Sequence, residues 1–528
     1  MRCCATASWY AVGCRAHPTT GSRPRACCKQ PSWPPSKNHQ PPATLLVTTT
    51  NLADWRNTVA SFDYDLAIIG AGSAGLTAAR LARFFAKRVA LIDKDRLGGD
   101  CLNYGCVPSK ALIKASRVAH EAATAQRWGL SAQHLPNGLA AVNARVRHAV
   151  TEVGKLDDAE VLAELGVDVL LGGATFRDSH TLRVGGAREI TAKFILIASG
   201  SRPAVPDVEG LAEVGYLTNE DVFDLSDLPD RLAVIGGGPI GVELAQALHR
   251  LGSTVTVLQR GPHLIPRDDD DMIEALEGQF SHEGIDVRLA TRATATRREG
   301  ADIVLSSTRH ELRVDAILCA VGRKPNVETL GLDAAGVTAN DRGIAVNDRL
   351  QTSRSHIYAV GDVTGGPAFT HYAGHQAAHA VRNIFVPIKA AFSPGHLPWV
   401  TFTDPEIAHV GRTEAEIRAA GDACEVVRFP YSHNERAVTD AEPVGLMKFL
   451  IDGKRRFIGA HIAGQCAGEM INELTLAMNN DLTVDAIIGS IHAYPTYSFA
   501  IPTALYEYVL SQNPSAAAKA GRFLSRLT

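Results

Sequence analysis

Apolar and polar residues alternate in blocks that predict a strand, a helix and a second strand close to residue 65. An apolar run at Leu66–Ile69 enters a glycine-rich turn, a helix-length stretch follows, and a second apolar run covers Val89–Ile92. Short apolar runs joined by a helical stretch are typical of a βαβ unit with parallel strands. The same order recurs about 166 residues later in the stretch RLAVIGGGPIGVELAQALHRLGSTVTVLQR. The pattern therefore predicts two βαβ units.

Glycines in both units follow the spacing G-x-G-x-x-G, the fingerprint of a dinucleotide-binding turn. The two sets are Gly70, Gly72 and Gly75, then Gly236, Gly238 and Gly241. The first glycine permits a tight turn, the second lets a pyrophosphate approach the backbone, and the third lets helix and strand pack closely. The helix N-terminus that follows favours the charge of the diphosphate. Two complete fingerprints predict two dinucleotides in one protein.

The residues that end the second strand of each unit differ in charge. Asp93, followed by Lys94, ends the first and can accept a hydrogen bond from a ribose hydroxyl. The second strand ends in Gln259-Arg260, without an acid. A nearby arginine favours a 2′-phosphate, so we expect NADPH, with NADH as the alternative, and Arg267 as a second charge. Arg260 could instead be a solvated loop residue.

Two further strand ends carry candidate ligand-binding residues. Lys193–Ala198 is a strand candidate that leads into Ser199-Gly200, and Gly361-Asp362 follows another apolar strand. Ligands bind at the carboxyl ends of strands in such sheets. Asp362 could equally be a turn cap. A helical stretch from about Thr370 to Phe385 follows, and its N-terminus could face the same cleft.

The fold class expected from these patterns is α/β, with two Rossmann-like dinucleotide-binding domains and a C-terminal α+β dimerisation domain. The last part lacks a fingerprint and alternates strand-like with helical runs. The expected division is a disordered N-terminal extension (1–60), a first dinucleotide-binding domain in two parts (61–208 and 326–395), an NAD(P)H-binding domain (209–325) and the dimerisation domain (396–528).

The length, charge and hydrophobicity of the chain exclude some classes of function. The chain of 528 residues has a net charge of −3, and residues 1–53 hold six Lys/Arg and no Asp/Glu, so the remainder carries −9. A net negative charge outside residues 1–53 does not indicate a nucleic-acid-binding protein, which typically carries an excess of basic residues. No apolar run approaches the ~20 residues of a membrane span. The proline-rich first 60 residues are expected to be disordered; a transit peptide, a metal-binding tail and an over-extended gene start are alternatives.

Cysteine usage indicates a reducing compartment. Five of the ten cysteines lie in the first 28 residues, and the remaining five are spread over the body. This is not the density of a secreted disulfide scaffold, so a close pair is expected to be catalytic or metal-binding. We expect a cytoplasmic protein, with organellar targeting by residues 1–60 as the alternative.

The stretch LGGDCLNYGCVPSK contains one close pair, Cys101 and Cys106. Zinc normally needs a second pair nearby, which the sequence lacks. A structural disulfide is uncommon in a reducing compartment, and the position after the first fingerprint favours a redox centre. Residues i and i+5 of a regular helix are roughly 8–9 Å apart, beyond the reach of a disulfide, so the segment should break at Gly105. Pro108 suits a first helical turn, whose N-terminus would favour a Cys106 thiolate.

The motif Gly-Gly-x-Cys-x4-Cys-x-Pro-x-Lys, placed between two Rossmann units, resembles the flavin-dependent pyridine nucleotide–disulfide oxidoreductases over about residues 62–510. The resemblance implies FAD on the first unit, NAD(P)H on the second, and a homodimer that shares its active site. It makes Cys101 the thiol that meets the acceptor and Cys106 the thiol against the flavin. It also pairs Lys110 with Glu243 beside the flavin.

The resemblance extends to further cofactor positions. Those assigned to FAD are Gly70, Gly72, Gly75, Asp93, Lys94, Gly99, Lys110, Ser199, Gly200, Gly361, Asp362 and His371. Those assigned to NADP are Gly236, Gly238, Gly241, Arg260, Arg267 and Gly322.

One departure concerns the acceptor. Disulfide-reducing branches carry His-Pro near the C-terminus, with Glu five residues after the His, as a proton donor. Here Tyr494 and Phe499 stand at those places, and His492 lies two residues early. A phenol with a pKa near 10 is a poor proton shuttle at neutral pH. Mercuric reductases have a Tyr at this place, and the stretches VELAQALHRLGSTVTVL and FTDPEIAHVG resemble that branch. The C-terminal vicinal cysteines and the N-terminal metal-binding domain of those enzymes are not found in this sequence.

The expected activity is therefore oxidation of NAD(P)H through FAD and the dithiol, mercuric-reductase-like, with Tyr494 as a further catalytic residue. The acceptor would be Hg(II), held transiently by Cys101 and Cys106, or another non-disulfide acceptor; no structural metal is expected. Dihydrolipoamide dehydrogenase or another small-disulfide reductase is the alternative. A nucleotide-binding redox sensor with weak turnover is the alternative from another class.

Overall fold

The computed structural model describes residues 62–131 and 138–512. The expectations for residues 1–60 lie outside the described residues. The strands in chain order are β1 (Tyr64–Ile69), β2 (Val89–Asp93), β3 (Val167–Leu171), β4 (Ala174–Phe176), β5 (Thr181–Val184), β6 (Arg188–Ile197), β7 (Ser201–Pro203), β8 (Arg231–Ile235), β9 (Thr254–Leu258), β10 (Asp286–Arg288), β11 (Ala293–Glu299), β12 (Asp302–Ser307), β13 (Glu311–Val314), β14 (Ala316–Cys319), β15 (Arg323–Pro325), β16 (Ala339–Asn340), β17 (Gly343–Ile344), β18 (Ile357–Ala359), β19 (Trp399–Thr401), β20 (Glu406–Gly411), β21 (Glu425–Pro430), β22 (Leu446–Ile451) and β23 (Phe457–Gly464). The helices are α1 (Ser73–Phe84), α2 (Gly99–Asn103), α3 (Cys106–Ala123), α4 (Leu139–Gly154), α5 (Ala159–Glu164), α6 (Leu211–Val214), α7 (Pro239–Arg250), α8 (Asp270–Glu283), α9 (Leu332–Ala335), α10 (Thr370–Phe385), α11 (Glu414–Ala420), α12 (Glu435–Thr439), α13 (Ala467–Asn479), α14 (Val484–Ile488) and α15 (Ala500–Gln512).

The first sheet has the order β3-β2-β1-β6-β5-β4, and β18 pairs with β6. Strand β1 runs parallel to β2 and β6, with Leu66 opposite Val89 and Phe194. Both faces of β1 are covered: Leu66 and Ile68 belong to one buried cluster, and Ala67 and Ile69 to another. Parallel strands that are buried on both faces need apolar residues at successive positions, which explains why the apolar runs in the sequence are unbroken.

The second sheet repeats this arrangement with the parallel order β10-β9-β8-β14, and an antiparallel sheet β11-β12-β13 lies within the same segment. Helix α7 connects β8 to β9 and buries Val242, Leu244 and Leu248. The C-terminal part is a five-stranded antiparallel sheet in the order β19-β20-β23-β22-β21, on which α13 packs. The predicted α/β fold with a C-terminal α+β domain is confirmed. The domain boundaries stay a prediction.

In the described ranges, no helix is both long and apolar enough to cross a membrane.

A buried ion cluster joins the C-terminal sheet to α8. Lys448 of β22 has a side chain only 2% exposed, and its Nζ lies 2.6 Å from Asp269, 2.8 Å from Asp271 and 2.7 Å from Glu414. Asp269 caps α8 by accepting from the Asp271 N–H. The hydrogen bond from Lys448 lowers the pKa of Glu414. One buried cation therefore joins carboxylates from two parts of the fold, and the exposed Arg428 pairs with two of them, Asp271 and Glu414.

We expect Lys448→Met to lower the free energy of unfolding by about 3–5 kcal/mol near pH 7, because it leaves the buried Asp269 carboxylate without its ammonium partner. The folded-state pKa of Glu414 is depressed, so the stabilisation is present above its ordinary value of 4.5 and is lost as pH falls through the lower folded value. Urea unfolding at pH 7 and pH 4 measures both effects. The exposed Lys454→Met is the matched control; an equal loss in both variants contradicts the account.

Candidate functional site

The segment between the two cysteines is broken, as its spacing predicts. Helix α2 ends at Asn103, and α3 begins at Cys106. A Cβ built on Gly105 would lie 2.9 Å from Asp100 Oδ2 and 3.3 Å from the Cys101 Cα, so this close approach of the backbone requires glycine. Pro108 sits in the first turn of α3, where its missing N–H costs no helical hydrogen bond.

The two thiols are unbonded, and a hydrogen bond joins Cys101 to Cys106. That bond lowers the pKa of Cys106 to about 6, although burial acts to raise it. A hydrogen bond with Thr370 and the charge of the Lys110 ammonium also act to lower this pKa. The Cys106 Sγ is 3.4 Å from the Thr370 Oγ1. The same hydrogen bond, together with burial, raises the pKa of Cys101 far above its ordinary value. The pair is thus asymmetric near neutral pH, with Cys106 as the thiolate.

The predicted partners Lys110 and Glu243 are in contact. Lys110 Nζ donates to Glu243 Oε2 at 2.8 Å, although one residue lies on α3 and the other on α7. The other oxygen of the 7%-exposed Glu243 side chain accepts from the Phe402 N–H at 2.8 Å. Lys110 Nζ also lies 4.4 Å from the centroid of the Phe402 ring. A buried, doubly hydrogen-bonded carboxylate holds the ammonium in place one turn from Cys106.

The first glycine turn fits a diphosphate. A Cβ on Gly75 would stand 1.8 Å from the Gly70 carbonyl oxygen, and a Cβ on Gly99 would stand 2.6 Å from the Gly72 Cα. Helix α1 begins at Ser73, and no side chain caps its N-terminus. The N–H groups of its first turn are therefore oriented to hold phosphate oxygens. These residues fit the FAD that the resemblance implies.

Asp93 ends β2 as predicted, and its carboxylate contacts the turn. Asp93 Oδ2 accepts from the Ala71 N–H at 2.7 Å, and Oδ1 accepts from the Asp95 N–H at 3.1 Å. Lys94 is exposed. A ribose contact of either residue stays a prediction.

A second group of predicted FAD residues converges near Asp362. Ser201 Oγ donates to Asp362 Oδ2 at 2.5 Å, and Arg323 Nε donates to the same hydroxyl at 2.7 Å. Ser199 Oγ donates to the Asn326 carbonyl at 2.8 Å, which joins this turn to the chain after β15. Gly200 and Gly361 both have positive φ angles, 67° and 75°.

The predicted helix Thr370–Phe385 is confirmed as α10. Its first residues differ in their contacts. The Thr370 hydroxyl faces Cys106, whereas the His371 imidazole lies 2.9 Å from the Pro398 carbonyl oxygen and stacks on Phe369. The imidazole of His371 is thus engaged by the segment after α10, and a contact of His371 with FAD stays a prediction.

The second glycine turn has the same geometry as the first. A Cβ on Gly241 would lie 2.0 Å from the Gly236 carbonyl oxygen, and no side chain caps α7 after Gly238. Gln259 takes the place of Asp93, with its Oε1 accepting from the Gly237 N–H at 3.3 Å. These residues fit a second dinucleotide.

The two arginines predicted to bind the 2′-phosphate of NADPH are exposed to solvent. Arg260 and Arg267 are exposed, and the Arg267 guanidinium lies 5.8 Å from the centroid of the Trp399 ring. Gly322 has a φ of 131° and follows β14, the strand beside β8.

The C-terminal candidates lie together on another part of the fold. Tyr494 is 64% exposed, and its ring packs edge-on against Phe499 at 5.1 Å. The neighbouring Glu435 carboxylate raises the pKa of Tyr494. His492 Nε2 is 2.7 Å from Glu473 Oε1; burial lowers the pKa of His492, but the hydrogen bonds to Glu473 and the Ser490 carbonyl raise it overall.

Sequence reasoning missed Thr370, Ser201, Arg323 and Asp100 as members of the site. Asp100 carried a signal, an acid directly before Cys101, and Arg323 stands directly after Gly322. Thr370 and Ser201 carried none, because long-range contacts decide their roles. Among the described residues, no group of three or more His, Cys, Asp or Glu side chains is arranged to hold a metal ion.

Comparison with known proteins agrees with this geometry. The family "Pyridine nucleotide-disulphide oxidoreductase" matches residues 64–377, and its dimerisation domain matches residues 397–505. A mercuric reductase from Staphylococcus aureus is 35% identical over 440 residues, which covers 82% of this chain and 80% of that protein. A dihydrolipoyl dehydrogenase from Thermus scotoductus is 36% identical over 450 residues, which covers 82% and 95%.

A solved structure, the HOCl-induced flavoprotein disulfide reductase RclA from Escherichia coli, superposes with a TM-score of 0.77 at 29% identity. The match covers 84% of this chain and 99% of that one. The chain therefore belongs to the pyridine nucleotide-disulphide oxidoreductases, a family of flavoprotein oxidoreductases that use FAD and NAD(P)H.

Proposed function

We propose that the protein oxidises NADPH and passes the electrons through the Cys101–Cys106 pair to Hg(II) or another acceptor that is not a disulfide. The observation that carries this proposal is the asymmetric thiol pair beside two dinucleotide-binding turns. A mercuric reductase is among the relatives, but a dihydrolipoyl dehydrogenase is about equally similar.

When bound, FAD supplies the two-electron exchange between the nicotinamide and the cysteine pair. Gly70, Gly72 and Gly99 would hold its diphosphate, and Asp362 would bind its polyol chain. Lys110, held by Glu243, stabilises negative charge beside Cys106. Cys106 carries the thiolate, and Cys101 keeps a proton until it attacks or binds the acceptor.

The acceptor proposal rests on Tyr494 and Phe499. Cleavage of a substrate disulfide releases a thiolate that needs a proton from a group matched to neutral pH. Glu435 raises the pKa of Tyr494 further, which makes the phenol a weaker acid still. A soft metal ion requires thiolate ligands and no such donor, and Cys101 and Cys106 provide sulfur ligands. The family's dimerisation domain supports a homodimer, and the proposal requires that this dimer bring Tyr494 to the cysteine pair of the other subunit.

One observation favours small disulfides as a second candidate acceptor. His492 and Glu473 form a hydrogen-bonded imidazole–carboxylate pair whose His pKa is raised. If the partner subunit presents this pair to Cys101, His492 would be a proton donor suited to neutral pH.

The purified protein should be yellow, and two-electron reduction should give a long-wavelength absorbance band from the Cys106 thiolate. The band should fade as pH falls through about 6, where Cys106 takes up a proton. Cys106→Ser should abolish the band, whereas Cys424→Ser, a half-buried cysteine of the C-terminal part, should leave it. A colourless protein, or a band that survives Cys106→Ser, contradicts the assignment.

NADPH should give a higher kcat/KM than NADH. Arg260→Ala should cost roughly 1–3 kcal/mol of that preference, as for one charge-assisted phosphate contact. Steady-state kinetics with both nucleotides measures the change, with the exposed Arg309→Ala as the control. Equal use of both nucleotides by the unaltered enzyme would count against NADPH.

The acceptor panel should contain Hg(II) with excess thiol, lipoamide, glutathione disulfide and quinones. Metal or quinone reduction should exceed disulfide reduction, because general acids contribute about 10²- to 10⁴-fold. Tyr494→His combined with Phe499→Glu should raise disulfide reduction. Turnover of lipoamide or glutathione disulfide by the unaltered enzyme at 10–10³ per second overturns the proposal, and His492→Gln then tests the second candidate.

A further inference from the structure

A carboxylate lies directly beside the two thiols. Asp100 precedes Cys101 in α2, and its Oδ2 lies 2.9 Å from the position a Cβ would take on Gly105, the residue before Cys106. The carboxylate is thus next to both ends of the break between α2 and α3. Its charge acts to raise the pKa of Cys106, against Lys110 and Thr370.

This carboxylate is opposed by one guanidinium. Asp100 Oδ1 lies 3.0 Å from Arg323 Nη2, with the two side chains 34% and 14% exposed. The contact lacks hydrogen-bond geometry, and Asp100 Oδ1 has no other polar partner in the described structure. Arg323 is itself fixed by two bonds to Ser201, at 2.7 Å to the hydroxyl and 3.0 Å to the carbonyl oxygen. Arg323 Nε also lies 3.8 Å from Asp362 Oδ2, so Asp100 shares this guanidinium with a second carboxylate.

The charge balance matters because reduction changes the charge of the site. The disulfide is neutral; two electrons and one proton convert it to a Cys101 thiol and a Cys106 thiolate, so one negative charge appears. A neighbouring negative charge disfavours that product, and a positive charge favours it. The equilibrium between disulfide and dithiol must therefore respond to any imbalance between Asp100 and Arg323.

We propose that Asp100 and Arg323 are positioning residues whose opposite charges set the reduction potential of the Cys101–Cys106 couple. This inference rests on the proposed function, because it needs the two cysteines to interconvert. It is separate from the choice of acceptor. Loss of Asp100 removes the negative charge beside the two thiols and stabilises the thiolate, whereas loss of Arg323 leaves the Asp100 carboxylate unopposed and does the reverse.

The test uses FAD-loaded enzyme in buffers of defined dithiothreitol ratio, quenched in acid, alkylated and counted for free Cys101 and Cys106 by mass spectrometry. Asp100→Asn should be half-reduced at a threefold to tenfold lower ratio of reduced to oxidised dithiothreitol, the order expected for one nearby charge. Arg323→Gln should shift the midpoint in the opposite direction, because it leaves the Asp100 carboxylate unopposed. A tenfold change corresponds to about 30 mV for this two-electron couple.

Two further variants separate charge from structure. Asp100→Asn combined with Arg323→Gln should bring the midpoint back toward that of the unaltered enzyme. The charge-conserving Asp100→Glu should keep the midpoint within about twofold of it. Asp95→Asn is the matched control and should not move it, because Asp95 is 58% exposed and paired with Arg96.

Shifts of both single variants in one direction, or an unmoved midpoint in Asp100→Asn, overturn the inference. If Arg323→Gln loses FAD or fails to fold, the comparison of Asp100→Asn with Asp100→Glu still decides it. Failure of the proposed function is a different result: the unaltered enzyme would then show no linked loss and gain of the two thiols.

Discussion

The contact between the Cys101 and Cys106 thiols is the interaction on which the rest of the site depends. It exists because Gly105 lets the chain turn back on α2 before α3 begins. The hydrogen bond between the thiols makes one sulfur acidic and the other basic. Lys110, one turn along α3, and Thr370 of α10 stabilise the same charge on Cys106, so the asymmetry does not rest on a single contact.

The two βαβ units hold their glycine turns in the same way. In both units the side chain at the end of the second strand accepts a hydrogen bond from the backbone of the glycine turn, Asp93 from Ala71 and Gln259 from Gly237. The two side chains hold their turns alike but differ in charge, so the second turn lacks the repulsion that a carboxylate would exert on a 2′-phosphate. Turn geometry and nucleotide choice are thus separate properties of neighbouring residues.

The sequence predicted those parts of the molecule that local patterns determine. Both βαβ units, helix α10, the break at Gly105 and, through the family resemblance, the Lys110–Glu243 contact are present. It did not predict the Ser201–Asp362 bond or the Asp100–Arg323 pair, since these join residues 161 and 223 positions apart. The burial of Lys448 could not be predicted from the sequence either, because a lysine in a strand is expected at the surface unless its carboxylate partners are known.

The proposed chemistry requires both the flavin and the cysteine pair to store electrons. Anaerobic titration of the yellow enzyme with dithionite, followed by absorbance, counts them. The account predicts uptake of two electrons by the disulfide and two by the flavin, and loss of the first two in Cys106→Ser. Uptake of two electrons in total by the unaltered, fully oxidised enzyme would contradict it, because Cys101 and Cys106 would then take no part in the transfer.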